Sequence, residues 1–486
     1  MCSGCNRRQF LESAALGGMV AAGSSLLAAA EAEKSASPVA RAPAMPQGPV
    51  KIHRVYVGFA GTAWPKPEID IPAEVAKFEA VLAEAQKKLG NVRLVGGEIV
   101  QTPAQAAAVI AKLKQADGVL LVHLSLGTGQ LMQQIVEAGR PTVIFSQPFS
   151  GHEWMFVPAW QKAGKRVVLL ATSDYGDLAR GLALLRVPGL MQRTRLILIG
   201  HAAGTAAAQS AEQVRKQLGV EVVRIGVDRM VRVHKAVDAR AAQAEADRWI
   251  REAKKVVEPT AAEILKSART YLAMKQLMAE ERAQAITIQC LGGMPIDVLG
   301  YPCLGFTRLN DEGLVGACEA DMDSTLTMLA FGYAFEVPGF ITDPLFDTAK
   351  NAVIHAHCCS PTKMDGPAGK TCPYLIRTHR DDNRGASLEV EMRVGQPITC
   401  AKLANLDTML ISTGKIIELT DFDDRGCRTQ ITTEVRDSQK MLDHWGAGVL
   451  GADMMTLLHR VVFYGDRMQA IRHLAVLMGW KVVEEG

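Results

Sequence analysis

The feature that most constrains the fold is a rhythm. From Val55 the chain alternates short apolar runs with amphipathic stretches, and beyond about Val337 that alternation stops. Val55–Ala60, Gly118–Leu124 and Thr142–Ser146 read as strands, and Ala73–Leu89 reads as an amphipathic helix. After a Pro/Gly break the pattern restarts. Arg166–Ala171, Arg195–Gly200 and Glu221–Ile225 are strand-like, separated by helical Asp177–Leu185 and Ala206–Leu218. Helical Ala239–Lys255 and Ala261–Ala283 precede a further strand, Ala285–Gln289. Strands that alternate with helices bury both faces of a parallel sheet, so the expected architecture is α/β: two doubly wound lobes, 51–163 and 164–336. Past Val337, β-branched runs with Gly/Asp turns appear, at Ser387–Val394, Met409–Ser412, Ile416–Leu419 and Arg428–Val435. These predict an antiparallel, barrel-like C-terminal domain over 337–486, with a last helix at Asp466–Met478.

The first residues read differently. Asn-Arg-Arg-Gln-Phe-Leu spans residues 6–11, and a mild Ala/Gly-rich stretch follows to Ala30-Glu31-Ala32. That order predicts a twin-arginine export signal over 1–32 and a Pro/Ser-rich linker over 33–50. The stretch is too rich in Gly, Ser and Ala for a spanning helix. The expected destination is the periplasm, reached by a route that exports chains already folded. The 54 basic and 51 acidic side chains nearly cancel, no long run of like charge occurs, and aromatics are 5%. Nothing there marks a nucleic-acid or acidic-lipid partner.

Cys2 and Cys5 form a lone CxxC inside the expected signal, while the other eight cysteines fall between Cys290 and Cys427. With no second CxxC, a structural zinc site has little support, and the eight are expected to be mostly buried thiols. Gly127-Thr128-Gly129 and Gly200–Gly204 follow strands, but neither completes a phosphate-binding fingerprint, so both read as turns.

Potential ligands concentrate between residues 317 and 366. Asp321 and Asp323 open a helical run and suit its N-terminus. Glu319 lies just before it among small and apolar residues, which makes it the inward carboxylate. Asp343 ends an apolar approach before Pro344, where a simple turn is the plain alternative. His355 and His357, two apart on a strand, would point the same way, as ligands or as a core pair. His459 opens a strand that runs into a turn. Carboxylates and imidazoles without a thiolate framework suit Mn²⁺ better than structural zinc.

Cys318-Glu319-Ala320-Asp321, Asp343, His357-Cys358 and the closing His459–Asp466 segment carry a resemblance, supported by Gly426–Gln430 and Gly151-His152-Glu153-Trp154. In these motifs, and in their order and spacing, the chain resembles the L-fucose/L-arabinose isomerase family over roughly residues 52–485. The resemblance implies two α/β lobes, a C-terminal barrel, and a divalent metal, usually Mn²⁺, between the second lobe and the barrel. By motif its ligands are Glu319, Asp343 and His459, with His357 nominated as the further imidazole of the arabinose type. It also implies a homotrimer or homohexamer in which a neighbour's first lobe closes the site. His152, Trp154 and Gln289 are the substrate-contact candidates, the first two serving an adjoining subunit. The expected reaction is aldose–ketose interconversion of a monosaccharide of the L-fucose, D-arabinose or L-arabinose type through a cis-enediol. Glu319 and Asp343 divide the acid–base work. The export signal sets the chain apart from a mainly cytoplasmic family. Two lobes behind an export signal also describe an exported, non-catalytic sugar-binding protein, which is the alternative.

Overall fold

The computed structural model describes residues 45–420 and 425–486. The expected signal, most of the linker, Cys2 and Cys5 lie outside the described residues. No described helix is long and apolar enough to cross a membrane.

The chain is mixed α/β, with two parallel sheets and a closed antiparallel barrel. The first sheet has five strands in the order Val92–Val100, Val50–Val57, Gly118–His123, Thr142–Ser146 and Val167–Ala171, all parallel. Its central strands are buried at every position, which is why they read as unbroken apolar runs. The second sheet has four parallel strands, Val315–Ala317, Ala285–Ile288, Arg195–Ile199 and Glu221–Ile225.

The barrel closes through six strands. Pro397–Ala404 pairs with Arg460–Tyr464, then follow Phe340–Asp347, Ala352–His357, Thr429–Val435 and Thr408–Leu419, which returns to Pro397–Ala404. Lys481–Glu484 adds to Thr408–Leu419 in parallel. Closure leaves no bare edge within the ring. A small further sheet pairs Tyr374–Arg377 with Ser387–Val390 and with Lys255–Val256, tying the helical middle of the chain to its β-rich end.

The element that joins these layers is the helix Met322–Phe335. Nearly all its side chains are buried, as expected of a helix apolar on every face. The hydroxyls of Thr325 and Thr327 donate to the carbonyls of Asp321 and Asp323, so its polar residues are satisfied internally. One continuous apolar core runs from the first sheet through this helix to Val461 and Phe463 of the barrel. Buried Arg186, on the helix Gly176–Met191, donates to the Tyr333 carbonyl at 2.8 Å, to Glu336 at 2.8 Å and to Asn91 at 3.1 Å. It locks the two helices together through a guanidinium whose charge is matched.

His234, on the helix Val227–Ala236, is buried beside Lys266 and Arg269. Burial, helped by these cations, holds its pKa below the ordinary imidazole value. A depressed folded-state pKa means stability present above about pH 6.5 and lost as the pH falls below it. His234→Leu is therefore expected to flatten the acid limb of the stability curve below about pH 6.5, by up to about 1.4 kcal/mol per pH unit. Urea midpoints measured across that range check this, and an unchanged limb refutes it.

Candidate metal centre

The strand Val315–Ala317 leaves the second sheet and meets the helix Met322–Phe335 through a tight connection. Within it Glu319 and Ala320 both take left-handed backbone conformations, at φ 59° and 54°. Non-glycine residues hold such angles only where their surroundings impose them. Here backbone bonds do so: Ala320 N–H donates to the Ile288 carbonyl, Ala203 N–H to the Ala320 carbonyl, and Met322 N–H to the Ala203 carbonyl. The strained turn aims the Glu319 side chain at the mouth of the barrel.

Three barrel residues meet it there. His459 lies just before the strand Arg460–Tyr464, Asp343 is on Phe340–Asp347, and His357 ends Ala352–His357. His459 Nε2 is 3.5 Å from Glu319 Oε2 and 3.2 Å from Asp343 Oδ1, and His357 Nε2 is 3.6 Å from Glu319 Oε1. The two imidazole rings stand edge to face, 5.5 Å apart. Both Nε2 atoms are buried and have no hydrogen-bond partner. Buried polar nitrogens are seldom left so, and two of them converging on one carboxylate is what a cation site requires. Glu319, His357 and His459 can each bring one ligand atom within 4.8 Å of the others. Oxygen and imidazole donors, with both carboxylates about a third exposed, could hold a divalent cation.

The electrostatics agree with that fit. Burial alone would raise the pKa of Glu319 and Asp343. The imidazoles override it and hold both carboxyls below the usual range, so both are ionised at neutral pH. Burial would likewise lower His357 and His459, but the surrounding carboxylates lift each to about 9. The carboxylates thus favour positive charge on the two rings, and a metal ion binding there would take the place of the Nε2 protons.

Asp321 is the N-cap of the helix, accepting from Ser324 N–H at 2.9 Å and its hydroxyl at 2.7 Å, as the sequence implied. It also does something the sequence did not show. Its Oδ2 accepts from His459 Nδ1 at 2.9 Å and from fully buried Lys402 at 2.8 Å. With Nδ1 donating to Asp321, it is Nε2 of His459 that faces Glu319 and Asp343, and a cation binding there would displace its proton. Asp323, the second acid of that turn, binds Thr205 N–H and hydroxyl at 2.5 and 2.8 Å, fixing the helix to the second sheet's loops.

The other candidates lie apart from this cluster. His355 and His357 do not act as a pair. His355 is enclosed between the Thr342 and Thr433 hydroxyls, and only His357, at the end of the strand, reaches Glu319. Asp343 is in a strand rather than a turn. Gln289 accepts from His201 N–H at 2.9 Å, so its carbonyl oxygen serves a neighbouring loop. His152 and Trp154 are exposed beyond the first sheet, His152 against the Trp64 ring at 5.1 Å. Among the described residues neither is hydrogen-bonded to the Glu319 cluster. The eight cysteines are free thiols, six of them buried, as expected.

Compared with known protein families and curated proteins, the chain matches no family model and no curated protein.

Proposed function

We propose that the chain is a metal-dependent aldose–ketose isomerase acting on an open-chain deoxyhexose or pentose of the L-fucose, D-arabinose or L-arabinose type. One observation carries the reading: Glu319, Asp343, His357 and His459 converge, with two buried imidazole nitrogens left for a cation. Glu319, Asp343 and His459 would hold it, with His357 as the fourth donor. A divalent ion there supplies Lewis-acid polarisation of the substrate carbonyl.

The proton work belongs to the chain. Glu319, ionised, takes the C2 proton of the aldose and returns it at C1 of the cis-enediol. Asp343 relays the hydroxyl proton between O2 and O1. Asp321, accepting from Nδ1, would keep His459 oriented with Nε2 toward the cation once the Nε2 proton is displaced. The reading extends to two doubly wound lobes before the barrel, to export by the twin-arginine route into the periplasm, and to a homotrimer or homohexamer. In that assembly His152 and Trp154 serve a neighbour's site.

The test is a sugar panel on protein starting at residue 33, loaded with Mn²⁺, then chelated, then reloaded. Ketose formed from at least one of L-fucose, D-arabinose and L-arabinose, lost on chelation and restored by Mn²⁺, is the expected result. Silence across the panel with metal bound and sugar retained would overturn it in favour of an exported binding protein.

A further inference from the structure

Beyond the carboxylate cluster, on the far side of the His357 ring, lies a group of thiols that the isomerase chemistry does not use. His357 Nδ1 is 3.4 Å from Cys359 Sγ. Cys318, the residue before Glu319, meets Cys359 on one side and has Cys290 Sγ 3.3 Å away on the other. Cys318 Sγ, Cys359 Sγ and His357 Nδ1 all lie within 4.8 Å of one another, and all three residues are buried. They come from three separate elements: the turn after Val315–Ala317, the end of Ala352–His357, and the segment just beyond it. Cys290 follows the strand Ala285–Ile288.

We propose that Cys318, Cys359 and the Nδ1 of His357 form a second metal site selective for a thiophilic d¹⁰ divalent cation of the zinc class, with the fourth position left to a non-protein donor. The spacing is that of a ligand shell. Around a tetrahedral ion with bonds of about 2.3 Å to sulfur and about 2.05 Å to nitrogen, S···N edges are about 3.5 Å and S···S edges about 3.8 Å. The Cys359–His357 separation of 3.4 Å already matches, and Cys318 Sγ lies within 4.8 Å of both, so a small inward shift of its side chain would complete the three edges. Charge fits as well. The thiols lie in an apolar core with Phe306, Phe340 and Met364. A doubly charged ion that displaces the protons of Cys318 and Cys359 into solvent leaves a neutral unit, the form such a core accepts at least cost. Sulfur donors also separate this site from the oxygen-rich one beside it.

The two sites share one ring. A cation on Nδ1 of a neutral imidazole leaves the proton on Nε2, which then points at Glu319 Oε1 as a donor. The thiophilic ion would thus leave the neighbouring site to Glu319, Asp343 and His459. Because the thiols are enclosed, the ion must enter as the chain folds.

The proposal stands without the isomerase reading and is tested separately. Full-length protein is produced in medium supplemented with Co²⁺ or with Zn²⁺ and purified under reductant. The expected product carries about one tightly held ion per chain. The Co²⁺ form shows near-ultraviolet thiolate-to-metal charge transfer, and X-ray absorption on the Zn²⁺ form finds sulfur at about 2.3 Å. Cys359→Ser and Cys318→Ser lose the charge-transfer absorption. Glu319→Gln and Cys400→Ser keep it. Nitrogen and oxygen neighbours alone, or an intact-mass loss showing Cys290 joined to Cys318 as a disulfide, would overturn the proposal. The spectra are taken on the unsubstituted chain, so a variant that fails to fold does not shield the proposal.

Discussion

Glu319→Gln is expected to remove isomerisation and weaken divalent-cation binding while leaving the fold in place. The substitution keeps the side chain's size and exchanges a carboxylate oxygen for an amide nitrogen that can neither take a C2 proton nor serve as an anionic ligand. Loss of a general base alone costs about 10²–10⁴ in rate. Loss of the anion facing two imidazoles at 3.5 and 3.6 Å weakens the cation site as well, so turnover should fall by at least about 10³. Stability should change little, because the left-handed backbone at Glu319 and Ala320 is held by main-chain bonds to Ile288 and Ala203 rather than by the Glu319 side chain. Retained turnover at saturating Mn²⁺ would sink the assignment. Lost turnover accompanied by a collapsed melting transition would mean that the residue is structural. Isothermal titration with Mn²⁺, circular dichroism and the ketose assay together separate these cases.

Much of the fold was legible because burial leaves a plain signature. Strands covered on both faces, such as Thr142–Ser146 and Arg195–Ile199, stand at the positions their apolar or β-branched runs imply. Val92–Val100 escaped notice because it sits at the sheet edge with half-buried residues and a register shift opposite Gly96-Gly97. The runs Met409–Ser412 and Ile416–Leu419 are one strand, Thr408–Leu419, and Gly414 and Lys415 interrupt only its hydropathy. Asp177–Leu185 continues to Met191 through Pro188, since a buried helix tolerates residues that local propensity argues against.

At the candidate site, the ligand types could be read from the sequence, but the supporting contacts could not. Glu319, Asp343, His357 and His459 stand out because charged or titratable groups sit among apolar neighbours. Lys402 gives no such warning. It lies in Pro397–Ala404, an apolar barrel strand, 81 positions from the carboxylate it pairs with, and only closure of the barrel on the helix brings the two together. The same holds for Cys290 and Cys318, 28 positions apart in sequence yet with touching sulfurs.

That hidden pair leads to the largest expected stability effect. Lys402 is fully buried and its ammonium meets Asp321 at 2.8 Å, while Asp321 also caps the helix Met322–Phe335 and holds His459. Burial would drive the Asp321 carboxyl to protonate. Lys402 and His459 prevent that and keep it ionised far below the usual range. Lys402→Met deletes the cation and leaves the anion in the core. Breaking a buried pair from one side costs about 3–5 kcal/mol, a large part of the roughly 5–15 kcal/mol that holds a domain folded. Asp321→Asn in the Lys402→Met background removes the stranded charge while keeping a cap, so it should restore most of the loss. Urea denaturation of the two single variants and the double variant reads this directly, and strictly additive losses would refute the coupling. The site responds differently from the fold. An asparagine amide facing His459 Nδ1 favours the tautomer with its proton on Nε2, which removes a cation donor. The double variant should therefore recover stability yet bind Mn²⁺ about 10–100-fold more weakly than the parent chain. Recovery of stability and Mn²⁺ affinity together would show that Asp321 supports the helix without setting the tautomer of His459.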